Sequence, residues 1–201
     1  MSLSALAINC TLKASPAESS CELMLRKVLR ALEQEGCTGE LLRAVDYNIK
    51  PGVYSDEGDG DEWPPIRRKI LDADIFVLGT PIWLGHPSSI CQRVLERLDA
   101  FLGETDAEGR LVSYGRVAAV AVVGNEDGAH HVTAELFQGL NDVGFTLPAS
   151  ASTYWTGEAM QKTDFKDLDE TPATVQQATQ GLARNCVHLA RLLKQAQYPG
   201  S

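Results

Sequence analysis

The sequence predicts an α/β protein: a five-stranded parallel sheet in the order 2-1-3-4-5 with helices on both faces. Three observations carry this. Strand patterns alternate with helical ones along the whole chain. The central strand patterns, Ile75-Phe76-Val77-Leu78 and residues 117–123, are unbroken apolar runs, as expected of strands covered on both faces. Most of the irregular chain leaves from the carboxyl ends of the strands, the rim at which such sheets bind ligands where their winding reverses.

The elements follow in order. Leu6-Ala7-Ile8 is the first strand. Residues 20–35 read as a helix in which Met24, Leu25, Val28, Leu29 and Leu32 share one face, with Gly36 and Gly39 at its end. Residues 40–45 are the second strand and 74–78 the third. The helix over 88–101 presents Ile90, Val94, Leu98 and Phe101 inward and Arg93, Glu96 and Arg97 to water. The fourth strand spans 117–123. A helix over 131–143 shows Val132, Leu136, Leu140 and Val143 before Gly144, and 145–151 holds the fifth strand. Thr171-Pro172 opens the last helix in N-cap and N1 order, with Val175, Ala178, Leu182, Leu189 and Leu193 along its inner face.

With 201 residues, the chain is expected to form one domain, 1–201, able to bury a core without disulfides. A formal charge of −9 argues against a nucleic-acid backbone or an anionic membrane as partner. The five cysteines form no C-x-x-C pair, which excludes the usual iron–sulfur and zinc spacings and reads as reduced thiols of a cytoplasmic protein. No secretory signal and no membrane-span pattern is present.

Three loops carry candidate chemistry. The first, residues 9–20, holds Thr11, Lys13, Ser15, Ser19 and Ser20 before a helix. Its N–H groups, hydroxyls and lysine are able to bind a phosphate. Equally, Ser19-Ser20-Cys21-Glu22 fits a capping box, and Glu22 puts negative charge where a phosphate would not want it. The loop is neither G-x-G-x-x-G nor a P-loop. The second, Gly79-Thr80-Pro81-Ile82-Trp83-Leu84-Gly85-His86-Pro87, carries apolar bulk between prolines and glycines. That makes a rigid platform for a flat ligand, a cap on the core, or a subunit contact. The third, Gly124-Asn125-Glu126-Asp127-Gly128-Ala129-His130-His131, allows tight backbone whose N–H groups face a ligand carbonyl. Its adjacent histidines point apart and complete no H-x-x-x-H, so no metal is expected; His86 and His188 read as structural. The acidic run 55–62 lacks the spacing of a calcium loop and reads as a solvated loop.

Taken together, these loops resemble the flavodoxin-like NAD(P)H-dependent FMN reductase family, flavoproteins with a three-layer sandwich fold. The strand-three loop running into Gln92-Arg93-Val94-Leu95-Glu96-Arg97-Leu98-Asp99 is the most specific part of the likeness. Cys10 stands where that family commonly has Gly, and Pro16-Ala17-Glu18 replaces a Gly–Asn pair. The resemblance implies that Thr11, Lys13, Ser15, Ser19 and Ser20 hold the FMN phosphate. It implies that Thr80, Pro81, Ile82, Trp83, Leu84 and Gly85 line the isoalloxazine ring, and that Gly124, Asn125, Glu126, Asp127, Gly128 and His130 close on its pyrimidine side. The implied activity passes reducing equivalents from NADPH or NADH through FMN to a small acceptor such as a quinone or flavin, with no catalytic side chain required. It also implies a homodimer or homotetramer, the loops 46–65 and 152–171, with Tyr154 and Trp155, covering part of the flavin. The alternative is a flavodoxin-type electron carrier between proteins, without NAD(P)H turnover; Lys13 in the first loop speaks against it.

Overall fold

The structure, a computed structural model, describes residues 2–158 and 161–200. In chain order its elements are β1 (Leu3–Asn9), α1 (Ser20–Gln34), β2 (Cys37–Arg43), α2 (Trp63–Asp72), β3 (Ile75–Trp83), β4 (His86–Pro87), α3 (Ser89–Leu98), β5 (Val117–Gly124), α4 (Ala129–Asp142), β6 (Ser152–Thr156) and α5 (Ala173–Gln195). Single 3₁₀ turns fall at Ala44–Asp46, Asp99–Gly103 and Phe165–Asp167. The parallel sheet runs β2-β1-β3-β5-β6, the predicted 2-1-3-4-5 winding, and the two-residue β4 folds back antiparallel on β3.

Alternation along the strands divides the core into two layers. Leu6, Ile8, Phe76, Leu78, Val120 and Val122 face α2, α3 and α4. Ala5, Ala7, Ile75, Val77, Ala119 and Ala121 face α1 and α5. Small residues on this second face let α1 lie close; a Cβ on Gly79 would come within 2.6 Å of the Leu25 side chain. The register places Asn9 level with Gly79, and Gly79 level with Ala121, so β1, β3 and β5 all release their loops at one rim.

Four expectations need correction. The second strand begins at Cys37, not residue 40, because Gly36 (φ 84°) turns the chain straight out of α1 into pairing with β1. The last strand is Ser152–Thr156 rather than 145–151. Thr146 makes only an isolated bridge to Val117; Pro148 then has no N–H for the ladder, and Ser150 turns with φ 57°. The loop expected over 46–65 ends earlier, since residues 63–72 form α2: Pro64 and Pro65 occupy its first turn, and Trp63, Ile66 and Ile70 are buried beneath its basic face. Arg97, placed on the wet side of α3, is fully buried.

Arg97 is buried because the chain between β2 and α2 folds over it. Its guanidinium donates to the Lys50 carbonyl at 2.9 Å, to the Tyr54 carbonyl at 2.9 and 3.1 Å, and to the Asp61 carboxylate at 2.7 Å. Asp61 also accepts from the N–H groups of Lys50, Glu57 and Trp63. The acidic run is therefore organised from within by one carboxylate rather than solvated throughout. Burial would push the Asp61 carboxyl up, but Arg97 and these three N–H groups outweigh it and hold it far below the usual range. A carboxyl depressed in the folded state contributes stability that is complete above its unfolded value, about 3.9, and is lost as pH falls below it. Arg97→Ala should lower the unfolding free energy by about 3–5 kcal/mol, because it strands a buried carboxylate. Urea denaturation at neutral pH measures this, and repeating it between about pH 4 and pH 2 should narrow the difference between wild type and variant.

Candidate functional site

At the rim where β1, β3 and β5 end, the loops bound a cleft of about 440 Å³. Thr11, Lys13, Ser19 and Ser20 come to it from the first loop, Pro81, Ile82 and Trp83 from the end of β3, and Gly124, Asn125 and Glu126 from the end of β5. Three segments separated in sequence thus share one cavity, of a size ordinary for a small-molecule site.

The first loop is shaped by capping and by one arginine. Thr11 N–H bonds Asn9 Oδ1 at 3.0 Å, and Ser19 Oγ caps α1 by accepting from Glu22 N–H at 3.1 Å. The positive end of α1 therefore opens on the cleft through Ser19, Ser20 and Cys21. Arg43, at the end of β2, is buried behind the loop and donates to the carbonyls of Ala17 at 2.8 Å and Lys13 at 3.1 Å, and to the Glu22 carboxylate. Burial would raise the Glu22 carboxyl, but Arg43 and Arg26 outweigh it and hold it below its ordinary value. The negative charge of Glu22 is thereby paired away from the cleft. Among the described residues, no carboxylate lies within ion-pairing distance of the Lys13 ammonium.

The other two loops are tied to each other. Leu84 N–H donates to Glu126 Oε1 at 2.8 Å, joining the tip of β3 to the loop after β5. Ser88 joins β3 to the first loop: its N–H reaches Thr80 Oγ1 at 3.0 Å and its hydroxyl donates to the Cys10 carbonyl at 2.6 Å. Trp83 lines the cleft yet is 53% exposed, so its indole is free to meet a ligand.

Several expected contact residues lie elsewhere. Ser15 turns away and donates to Asp46 through both its N–H and its hydroxyl, at 2.8 and 2.5 Å. Thr80 is buried beneath the rim, whereas Leu84 is 90% exposed on the hairpin tip beside Gly85. Asp127 and Gly128 lead into α4, outside the cleft lining, and His130 pairs with the Tyr154 hydroxyl at 3.0 Å. The cleft also has a wall made of Trp155, Gln161, Asp164, Phe165 and Lys166; the loop 152–171 with Trp155 is expected as a flavin cover at a subunit contact, and here it lines the cleft of its own chain. Trp155 packs on Phe165 with ring centroids 5.6 Å apart, Asn125 donates to Asp164 at 2.6 Å, and the Lys166 N–H bonds Ser20 Oγ at 3.2 Å. A capping box between Asp164 and Asp167 marks the turn at Phe165–Asp167.

All five cysteines are free and buried. Burial pushes Cys21, on the cleft wall, well above the usual thiol range, and carries Cys37 to about 11 and Cys186 to about 12. These three thiols are therefore not thiolate nucleophiles at neutral pH.

A flavodoxin-like sandwich with such a cleft defines a class, and comparison with known proteins places the chain in it: the chain belongs to the NADPH-dependent FMN reductase family, whose model matches residues 4–161. Within that class it is similar to the 8-demethyl-8-aminoriboflavin-5′-phosphate synthase of Streptomyces davaonensis, with 32% identity covering 98% of this chain and 81% of that protein. A crystal structure of RosB with bound 8-demethyl-8-formylriboflavin-5′-phosphate matches at a TM-score of 0.88 and 31% identity, covering 98% of this chain and 82% of that one. The chain is also 36% identical to a Mycobacterium bovis protein named divalent metal cation transporter MntH, covering 96% of this chain but only 29% of that protein's length. An archaeal flavodoxin, 8% identical with a TM-score of 0.60, shares the fold. Fold and family together make this a flavin-dependent oxidoreductase type of protein. Among the described residues, no helix is long and apolar enough to cross a membrane.

Because Arg43 is the shared partner of two loop carbonyls and one carboxylate, Arg43→Ala should cost about 2 kcal/mol in chemical denaturation. Limited proteolysis should then cut within residues 10–18 before any other site.

Proposed function

We propose that the chain binds FMN in this cleft and passes reducing equivalents from NAD(P)H to a small acceptor, a quinone or a free flavin. What carries the reading is the meeting of the α1 N-terminus, Lys13, which makes no salt bridge among the described residues, and the half-exposed Trp83 in one cavity. These are the requirements of a flat ring bearing a phosphate: N–H donors with a cation for the dianion, and an indole face for the ring. Lys13, Thr11, Ser19 and Ser20 would hold the phosphate; Trp83, Ile82 and Trp155 would meet the ring; the N–H groups of Asn125 and Glu126 would bond its polar edge. Bound FMN supplies the hydride and electron chemistry. The chain's part is to orient the ring, exclude water from one face through the apolar wall, and leave the other face open to the nicotinamide and the acceptor. No side-chain acid or base is assigned.

A second copy of the chain fits the same reading. Leu84, 90% exposed and held at φ 54°, and Trp83 beside it form an apolar tip over the cleft mouth. Static light scattering of the flavin-bound protein should give a dimer or tetramer.

One relative favours a second reading. The Streptomyces davaonensis protein is named for synthesis of a modified riboflavin-5′-phosphate, and it aligns with nearly the whole chain. A flavin phosphate would then be the substrate rather than a resident cofactor. Mass analysis of the flavin before and after incubation with reductant and acceptor separates the two, since a cofactor is recovered unchanged.

Purified protein should be yellow and should oxidise NADPH or NADH in the presence of a quinone; colourless protein that fails to bind added FMN would overturn the proposal. In fluorescence-quenching titrations, Lys13→Ala should weaken FMN binding about tenfold, the scale of one charge-assisted contact, and leave riboflavin binding unchanged. Trp83→Ala should weaken both ligands alike.

A further inference from the structure

Outside the flavin cleft, the fold brings His86 of β4 to a pair one helical turn apart on α4, His131 and Glu135. His86 Nδ1 lies 3.2 Å and His131 Nε2 3.1 Å from the same carboxylate oxygen, Glu135 Oε1. All three donor atoms fall within 4.8 Å of one another. We infer that His86, His131 and Glu135 form a binding site for a divalent cation of zinc type, which clasps the β3–β4 hairpin to α4.

The geometry argues for this. Donors held at the usual zinc bond lengths of about 2.0–2.1 Å sit about 3.3 Å apart at a tetrahedral centre. Two edges of the triangle already have that length, and the third closes by rotation of an exposed imidazole. His131 and Glu135 are one helical turn apart and so project from the same face of α4. His86 comes from a different element, fixed in place by pairing with Trp83 and by the following Pro87. The hairpin is seated before any metal arrives. Leu84 N–H bonds Glu126, and Gly85 approaches α4 so closely that a Cβ on Gly128 would lie 3.0 Å from Gly85 Cα. Two imidazoles and one carboxylate are the ligand set of a borderline cation such as Zn²⁺, in contrast to the all-oxygen sites of calcium or magnesium. The half-exposed side chains leave a fourth position to water.

A cation here would link the hairpin that carries Trp83 to the helix that follows the loop of Gly124–Gly128, bracing two of the cleft's three loops. Sequence reading finds in His130 and His131 only neighbours that point apart and sets His86 aside as structural; the fold turns His130 towards Tyr154 and His131 towards His86.

The test is calorimetric titration of ZnCl₂ into full-length protein, stripped by chelator and freed of any histidine tag. Wild type should take up one Zn²⁺ per chain, and a hundredfold excess over Kd should raise Tm by about 5–10 °C. His86→Ala and Glu135→Gln should each weaken uptake at least tenfold and abolish the Tm rise, whereas His188→Ala, on the exposed face of α5, should leave both unchanged. Glu135→Gln keeps the shape of the side chain, so its loss of binding cannot come from a collapsed hairpin. Co²⁺ should give tetrahedral absorption bands in wild type that both variants lack. No stoichiometric uptake by wild type, or uptake equally strong in His86→Ala and Glu135→Gln, would overturn the site. Metal uptake is read without flavin or turnover, so failure here leaves the flavin assignment untouched.

Discussion

The parallel register of β1, β3 and β5 is the constraint on which the site depends. With Asn9, Gly79 and Ala121 level, the first loop leaves the sheet at the rim while β3 and β5 run a few residues further, to Trp83 and Gly124. The longer strands stand beside the α1 N-terminus as a wall, and the cleft is the space between. A slip of one residue in either pairing would exchange the apolar sets that face the two helical layers, so the sheet's own burial holds the rim in place. The Thr80–Ser88–Cys10 relay then fastens β3 to the first loop in the buried interior, where an unpaired hydroxyl would be costly.

Beyond the sheet, two buried arginines solve a common problem. Loops at a ligand rim cannot be stabilised by a large core of their own, and their carbonyls need partners. Arg43 supplies donors to the first loop and Arg97 to the chain between β2 and α2. A guanidinium offers five N–H groups in a rigid plane, so each arginine reaches several segments at once and also carries a carboxylate partner. Lysine at either position would satisfy fewer of these acceptors and from a less fixed direction.

Where the sequence could be read and where it could not follows from the range of each signal. The unbroken run of β3 and the spacing of Met24, Leu25, Val28 and Leu32 are local patterns set by burial on both faces or on one, and the structure reproduces them. Three of the elements that mark the cleft, the cap at Ser19, Trp83 and the glycine-bounded turn after β5, were visible because loop composition is itself local. The loop of Trp155 was legible as a flavin cover only through the resemblance, and its packing on Phe165 within the same chain was not, because nothing local in residues 152–166 says that they return across the rim. β6 hid behind its own serine and threonines: as the edge strand it buries Thr153 and exposes Tyr154, so it shows no apolar run. Ser15 had the right residue type in the right loop, but Asp46, 31 positions away, claims it. Arg97 was misjudged for the same reason, since the face that covers it is a loop rather than another periodic element.

One property of the core has a practical consequence. Every cysteine is enclosed, spread over α1, β2, α3, α5 and the first loop, so that both layers of the sandwich hold at least one. A small electrophile added to the native protein meets no accessible sulfur, and modification must wait for the chain to open. Since the five lie in different elements, the order in which they acquire label over time would map which parts of the molecule breathe independently and which come apart only together.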